Sequence, residues 1–199
     1  MSTLKTTNIA HPSSASNNVV LASDGSATIA TLNSTTITGT TIQGVIKSGT
    51  AVASTSGTAI DFTSIPNWVK RITVMFSGVS LNGSSDFLIQ LGAGSVTSSG
   101  YTSTSNAANS GGATTGLSST AGFVFIMGTA SNIASGQIIL TNVSGNSWIS
   151  SHVAKETTSR VVIGGGDVTL SSTLDRIRIT TVNGTDTFDA GTINILYEG

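Results

Sequence analysis

The stretch LDRIRITTVNGTDTFDAGTINILYEG, residues 174–199, constrains the fold more than any other part of the chain. Ile177 and Ile179 alternate with Arg176 and Arg178. The pattern breaks at Asn183-Gly184 and at Asp189-Ala190-Gly191, then resumes with Ile193, Ile195 and Tyr197. Successive side chains of a strand point to opposite faces, so this spacing predicts two strands with one buried face each, joined through turns. The same signature recurs upstream as TAIDF, VKRITVMFSGV, DFLIQLG, GFVFIMG, GQIILTNV, SWISSHV and RVVIGG, each bounded by Gly, Ser or Asn clusters. No segment shows the capped, 3.6-period stripe of a helix. Nine short strands after residue 47 predict an all-β chain with a jelly-roll-like antiparallel β-sandwich. Its core is expected to hold Ile72, Val74, Phe76, Ile177, Ile179, Ile193 and Ile195. Arg71, Thr73 and Met75 should then face outward.

Composition narrows the function. Charged residues are 9% of 199, Gly occurs 23 times, and Ser with Thr fills about a third of the chain. Such usage is far from that of an ordinary soluble enzyme. Eight scattered basic residues and a net charge of −1 offer no phosphate-tracking stripe, so nucleic acid is not an expected partner. The opening MSTLKTTNIAHPSS lacks an apolar run, and FVFIM is too short to span a membrane. Cysteine is absent, so no disulfide framework exists and stability rests on packing or oligomerisation.

Residues 1 to about 47 carry isolated apolar residues in a Ser/Thr/Asn/Ala/Gly background, with no aromatic before Phe62. Within them TTITG, residues 35–39, is followed directly by TTIQG, residues 40–44. A five-residue period fits neither a flat strand nor a helix, and one chain cannot bury it. Several copies winding together could, with Ile37 and Ile42 on a shared axis; a flexible linker is the plainer alternative. The organisation expected is an arm over residues 1–25, a trimeric stalk over 26–47 and a sandwich head over 48–199.

Chemical motifs are sparse. With only His11 and His152 and no Cys, neither a His cluster for zinc nor a thiol nucleophile can form, and no cofactor motif is present. His152 reads as a strand histidine sharing a face with Trp148 and Ser150. Asp186, Asp189 and Asn183 could in principle hold an ion or act as paired acids, but Asp and Asn at turns usually bond the local backbone. GGGD, residues 164–167, lacks the Lys-Ser/Thr of a phosphate loop and reads as a turn. Trp68, after Ile65-Pro66 at a strand start, suits the core or a corner. The segment Ala93 to Ser119 reads as one long polar loop, far beyond the usual 4 to 6 residues or so. Tyr101 lies in it, either as a binding ring or as an anchor for the loop.

IPNWVKRITVMFSGVS, LTNVSGNSWISSH and GGGDVTLSSTLDRIRITTVNGTDTFDAGTINILYEG resemble the C-terminal domain of tail-fibre and related fibre proteins of marine bacteriophages, cyanophages included. MSTLKTTNIAHPSSASNNVVLASDGSATI is similar to the N-terminal stretch of many fibres in that group. The resemblance implies a homotrimeric virion fibre, assembled in the host cytoplasm. Its arm would dock on another virion protein of tail, adaptor or capsid, and its head would meet a host surface glycan or protein. A head fibre or decoration protein without receptor binding is the competing structural class, and a glycan hydrolase the competing enzymatic one. Glycan recognition commonly sets an aromatic face beside small hydrogen-bonding side chains, which makes Tyr101, Thr102, Ser103 and Asn106 the candidate receptor residues.

Light scattering on the full-length chain should return about three times 20.0 kDa. Replacing Ile37 and Ile42 together with Asp should collapse that mass to a third by placing charge on the shared axis. A monomeric parent chain would refute the stalk.

Overall fold

The computed structural model describes residues 8–9, 19–21, 23, 27–29, 46–157 and 159–199. Ile37, Ile42 and the pentapeptide repeat lie outside the described residues. The chain divides into two compact units, Met1–Ile42 and Gln43–Gly199. In the first, β1 (Asn8–Ile9), β2 (Val19–Leu21) and β3 (Ala27–Ile29) form a small antiparallel sheet.

In the second unit every regular element among the described residues is a strand. These are β4 (Ile46–Ser48), β5 (Val52–Ala53), β6 (Ala59–Thr63), β7 (Arg71–Leu81), β8 (Phe87–Ala93), β9 (Ser95–Val96) and β10 (Thr102–Asn109). They continue with β11 (Thr114–Ser119), β12 (Phe123–Phe125), β13 (Ala134–Ser144), β14 (Ser147–Thr157), β15 (Arg160–Thr169), β16 (Arg176–Thr181) and β17 (Phe188–Glu198). They make an antiparallel β-sandwich. The large sheet runs β11-β10-β15-β14-β13-β7-β17-β4, with β5 also on β17; the small sheet runs β12-β8-β16-β6, with β9 on β8. The chain crosses between sheets eight times, at β5 to β6, β6 to β7, β7 to β8, β9 to β10, β11 to β12, β12 to β13, β15 to β16 and β16 to β17.

All nine strands read from the alternation exist, and the seven expected core residues are buried in one cluster. Two differences concern segments read as loop or stalk. Ile46 and Lys47, grouped with the stalk by composition, pair with Glu198 and Tyr197 on β17. Residues 93–119 are not one loop: they contain β9 and the β10–β11 hairpin, whose register runs from Ser103↔Ser119 to Ala108↔Thr114.

Four phenyl rings join the sheets. Phe76 on β7 and Phe188 on β17 come from the large sheet, Phe87 on β8 and Phe125 on β12 from the small one. Phe87 stands at the centre, 5.8 Å from Phe76, 5.6 Å from Phe125 and 5.7 Å from Phe188 between ring centroids. Ladder pairing aligns the strands that carry them, since Phe188 sits opposite Leu81 and Phe125 opposite Phe87. The β7–β17 ladder shifts register twice near Ala190. There Gly78 and Gly191 adopt φ of 67° and 94°, and a Cβ on Gly191 would come within 2.4 Å of the Gly78 carbonyl oxygen. Only glycine meets both demands of this bulge. On the outside of the small sheet, Arg178 donates to both carboxylate oxygens of Asp61 at 2.8 and 2.7 Å, pairing β16 with β6.

Phe76 is buried against two of the other three rings. Phe76→Ala should therefore lower unfolding free energy by about 3 to 5 kcal/mol per chain. Denaturant titration with an unchanged m-value would confirm that the loss is one of packing.

Candidate functional site

Of the four receptor candidates, the fold turns two inward and two outward. Tyr101 is 2% exposed; its ring meets Phe123 edge-on at 5.0 Å. Its hydroxyl accepts from the Leu91 N–H at 2.7 Å and reaches the Thr97 carbonyl at 3.1 Å. Burial pushes its pKa up to about 12. Tyr101 is thus an anchor between sheets and not an exposed stacking surface. Ser103 is buried as well, and its hydroxyl accepts from the Val124 N–H of β12 at 3.0 Å. Thr102 is exposed and Asn106 half-buried on the opposite, outer face of β10.

The other sequence candidates are structural in their surroundings. Asn183 Oδ1 accepts from the Thr185 and Asp186 N–H groups, both at 3.0 Å. Asp186 accepts from the Ser85 N–H at 2.9 Å, and Asp189 from the Ser80 hydroxyl. Among the described residues no group of three or more His, Cys, Asp or Glu side chains could hold a metal ion. No helix among them is long and apolar enough to cross a membrane. Trp68 is a corner packer, tilted against Tyr197 at 5.9 Å. GGGD is not a turn but the middle of β15. A Cβ on Gly164 would fall 2.4 Å from the His152 ring, and one on Gly166 2.3 Å from the Thr102 carbonyl oxygen. The glycines let β15 pass between bulky neighbours.

His152 shares the inner face of β14 with Trp148 and Ser150, as the alternation predicts. Its Nε2 lies 3.1 Å from the Ser105 hydroxyl and its ring 5.2 Å from Phe125. Both partners of this Ser–His pair are buried, and Nδ1 has no hydrogen-bond partner, so no carboxylate orients the imidazole. Nearby, the fully buried Glu156 accepts from Arg160 Nη1 at 3.0 Å and from Asn132. Arg160 Nε and Glu156 Oε2 are 2.9 Å apart but off the hydrogen-bond line, so that contact is ionic only. Burial raises the Glu156 pKa against the opposing pull of Arg160.

The outer face of the large sheet has two characters. On β10 and β11 it is polar: Thr102, Thr104 and Asn106 stand beside the exposed Thr114 and Gly116. On β14 and β15 it is apolar, with Ile149, Val153, Val161 and Ile163 all exposed, Val153 at 60% and Ile163 at 47%. Val153 sits opposite Ile163 and forms a ridge; one step along, Ser151 sits opposite Gly165 and leaves a hollow. That hollow, bordered by Thr104, Asn106 and the ridge, has a volume of about 570 Å³. The sequence carried the signal in RVVI, where consecutive apolar residues make both faces of a strand hydrophobic. Compared with protein-family models, with curated proteins and with solved structures, the chain matches none.

Burial holds the His152 pKa down to about 4 from an ordinary 6.5. The folded state therefore favours the neutral ring, whose contribution is complete above pH 6.5 and lost as pH falls toward 4. Glu156, with its raised pKa, acts in the opposite sense, so the test is a difference between variants. Relative to His152→Phe, the parent chain should lose on the order of 3 kcal/mol of stability between pH 7 and pH 4. Thermal or urea unfolding across that range measures it.

Proposed function

We propose that the chain is a non-enzymatic bacteriophage virion fibre: the N-terminal arm anchors it, Ile37 and Ile42 build a trimeric stalk, and the sandwich head meets a host surface molecule. The observation that carries this reading is where the fibre-like stretches fall. IPNWVKRITVMFSGVS leads into and forms most of β7, LTNVSGNSWISSH is the β13–β14 hairpin, and the long terminal stretch runs from β15 through β17. They resemble fibre heads piece by piece, and they assemble into one sandwich around one core. A scaffold that must hold surface groups still without disulfides is served by such a core.

Receptor contact is assigned to the β10–β11 hairpin, through the outward Thr102 and Asn106 and the exposed tip at Ser110, Gly111 and Gly112. Small hydroxyl and amide groups on a rigid strand suit a hydroxyl-rich ligand such as a glycan. The inward Tyr101 and Ser103 hold that strand in place.

Antibody against the head should decorate the fibres of intact virions in electron micrographs. The labelled, folded chain should bind cells of the phage's host, and Thr102→Lys with Asn106→Lys should abolish binding while leaving the unfolding midpoint within a few degrees. Antibody on the virion with cell binding intact in the double variant would move the receptor site elsewhere. Labelled virions with no cell binding by the parent chain would favour a decoration protein.

A further inference from the structure

We infer that Asn82-Gly83, in the turn between β7 and β8, is a self-modifying site: the Gly83 nitrogen closes on the Asn82 side chain, and the fold favours this at Asn82 while blocking it at Asn183-Gly184. The chain holds these two Asn-Gly pairs, each in a connection between strands and each with its asparagine exposed to water. The reaction needs no outside catalyst. The glycine nitrogen adds to the asparagine amide carbon, its proton leaves with the amide nitrogen as ammonia, and a cyclic succinimide remains. Water then opens the ring at either carbonyl. One opening gives Asp, and the other gives isoaspartate, with the main chain rerouted through the side chain. Glycine is the favourable successor because no Cβ hinders its nitrogen. The reacting atoms belong to adjacent residues, so closure needs only rotation within Asn82 and a nitrogen free to turn.

At Asn183 both requirements fail. The Gly184 N–H donates to the Thr181 carbonyl at 3.1 Å, with Gly184 held at a φ of 68°. Asn183 Oδ1 accepts from the Thr181 hydroxyl at 3.1 Å besides the Thr185 and Asp186 N–H groups, which fixes the side chain. At Asn82 the nitrogen is free: the Gly83 N–H makes no hydrogen bond among the described residues. Asn82 Oδ1 accepts a single N–H, from Thr187 at 2.9 Å, and Asn82 Nδ2, the leaving group, has no partner among them. A donor on that oxygen draws charge from the amide carbon and stabilises the oxyanion that forms as nitrogen adds. Access of water does not separate the two sites; the state of the glycine nitrogen does.

The surroundings fix what conversion does to the head. Asp186 accepts the Ser85 N–H, and the Ser85 hydroxyl accepts the Asn183 N–H at 3.1 Å, so the turns after β7 and after β16 are clasped together. A Cβ on Gly83 would displace the Asp186 carboxylate, and the clasp therefore keeps a glycine behind Asn82. Conversion sets a second carboxylate one residue from that of Asp186, and like charges repel. Isoaspartate also lengthens the main chain by a methylene where the Asn82 N–H meets the Thr187 carbonyl at 3.0 Å. The same turn carries Asp86, which accepts from the Met127 and Gly128 N–H groups at 2.6 and 3.1 Å, so the loosening reaches the segment after β12. The site is an irreversible timer that weakens the head from within, whatever the head binds.

The test is mass spectrometry of peptides from the full-length chain after storage at mildly alkaline pH, with and without denaturant. In the folded chain Asn82 should convert from amide to acid about tenfold or more faster than Asn183, with isoaspartate appearing at position 82. In denaturant the two rates should converge to within about threefold, because the dipeptide is the same. Asn82→Gln offers Thr187 an acceptor but forms its larger ring far more slowly, so this variant should keep its unfolding midpoint through storage that lowers the parent's. Folded Asn183 converting as fast as Asn82 overturns the inference, as does a folded Asn82 that stays intact while the denatured chain converts. A gap that persists in denaturant would trace the difference to local sequence and overturns it equally. A midpoint that falls alike in parent and Asn82→Gln refutes the timer.

Discussion

The contact of Phe87 and Phe125 with Phe76 and Phe188 is the constraint on which the rest of the head depends. Hydrogen-bonded ladders hold each sheet together but do nothing to keep two sheets face to face; that requires apolar area shared between them. Phe87 touches rings from both sheets, so its position fixes the spacing of the layers and the alignment of β8 against β7 and β17. The bulge at Gly78 and Gly191 follows from the same demand. It shifts the register of β17 on β7 between Phe188 and Ile193, and both side chains are buried in the one core.

The parts of this fold legible in the sequence are those in which hydrophobic alternation is the only force at work. Ile177, Ile179, Ile193 and Ile195 lie where a period of two places them. The β10–β11 hairpin was illegible because its inward residues are small. Ser103, Ser105 and Ala107 face the core, where the Ser103 hydroxyl meets the Val124 N–H and the Ser105 hydroxyl meets the His152 ring. A strand that buries hydroxyls against a backbone N–H and an imidazole writes no apolar pattern. The triple glycine of β15 was misleading for the complementary reason: the bulk of His152 on one neighbour and the approach of the Thr102 carbonyl on the other exclude side chains there. Along β15 neighbours more than ten residues away in sequence dictate a missing side chain, and a window of ten residues cannot see them.

The same trade of bulk for smallness shapes the candidate site. Tyr101 and Ser103 are spent inside, and the polar groups left on the outside of β10 are carried by a strand whose inner contacts are saturated. Rigidity there comes from beneath: the Tyr101 hydroxyl spans Leu91 and Thr97, and Ser103 ties β10 to β12. Side chains held this way would lose little conformational freedom on meeting a ligand, which is what the proposed receptor contact requires.

The order of strands in the large sheet also governs how the head comes into being. β7 lies between β13 and β17, and neither partner is near it in the chain: β7 ends at Leu81, β13 begins at Ala134 and β17 at Phe188. At ordinary translation rates of roughly 5 to 20 residues per second, β7 waits several seconds for its first partner and about twice as long for its second. During that wait both of its edges are open, and RITVMF is rich in the β-branched and aromatic residues that favour strand pairing. Closure over such long loops is slow, and it completes both sheets together. The nascent chain is therefore most vulnerable to misassociation midway through synthesis, and crowding of many copies on one message sharpens the hazard.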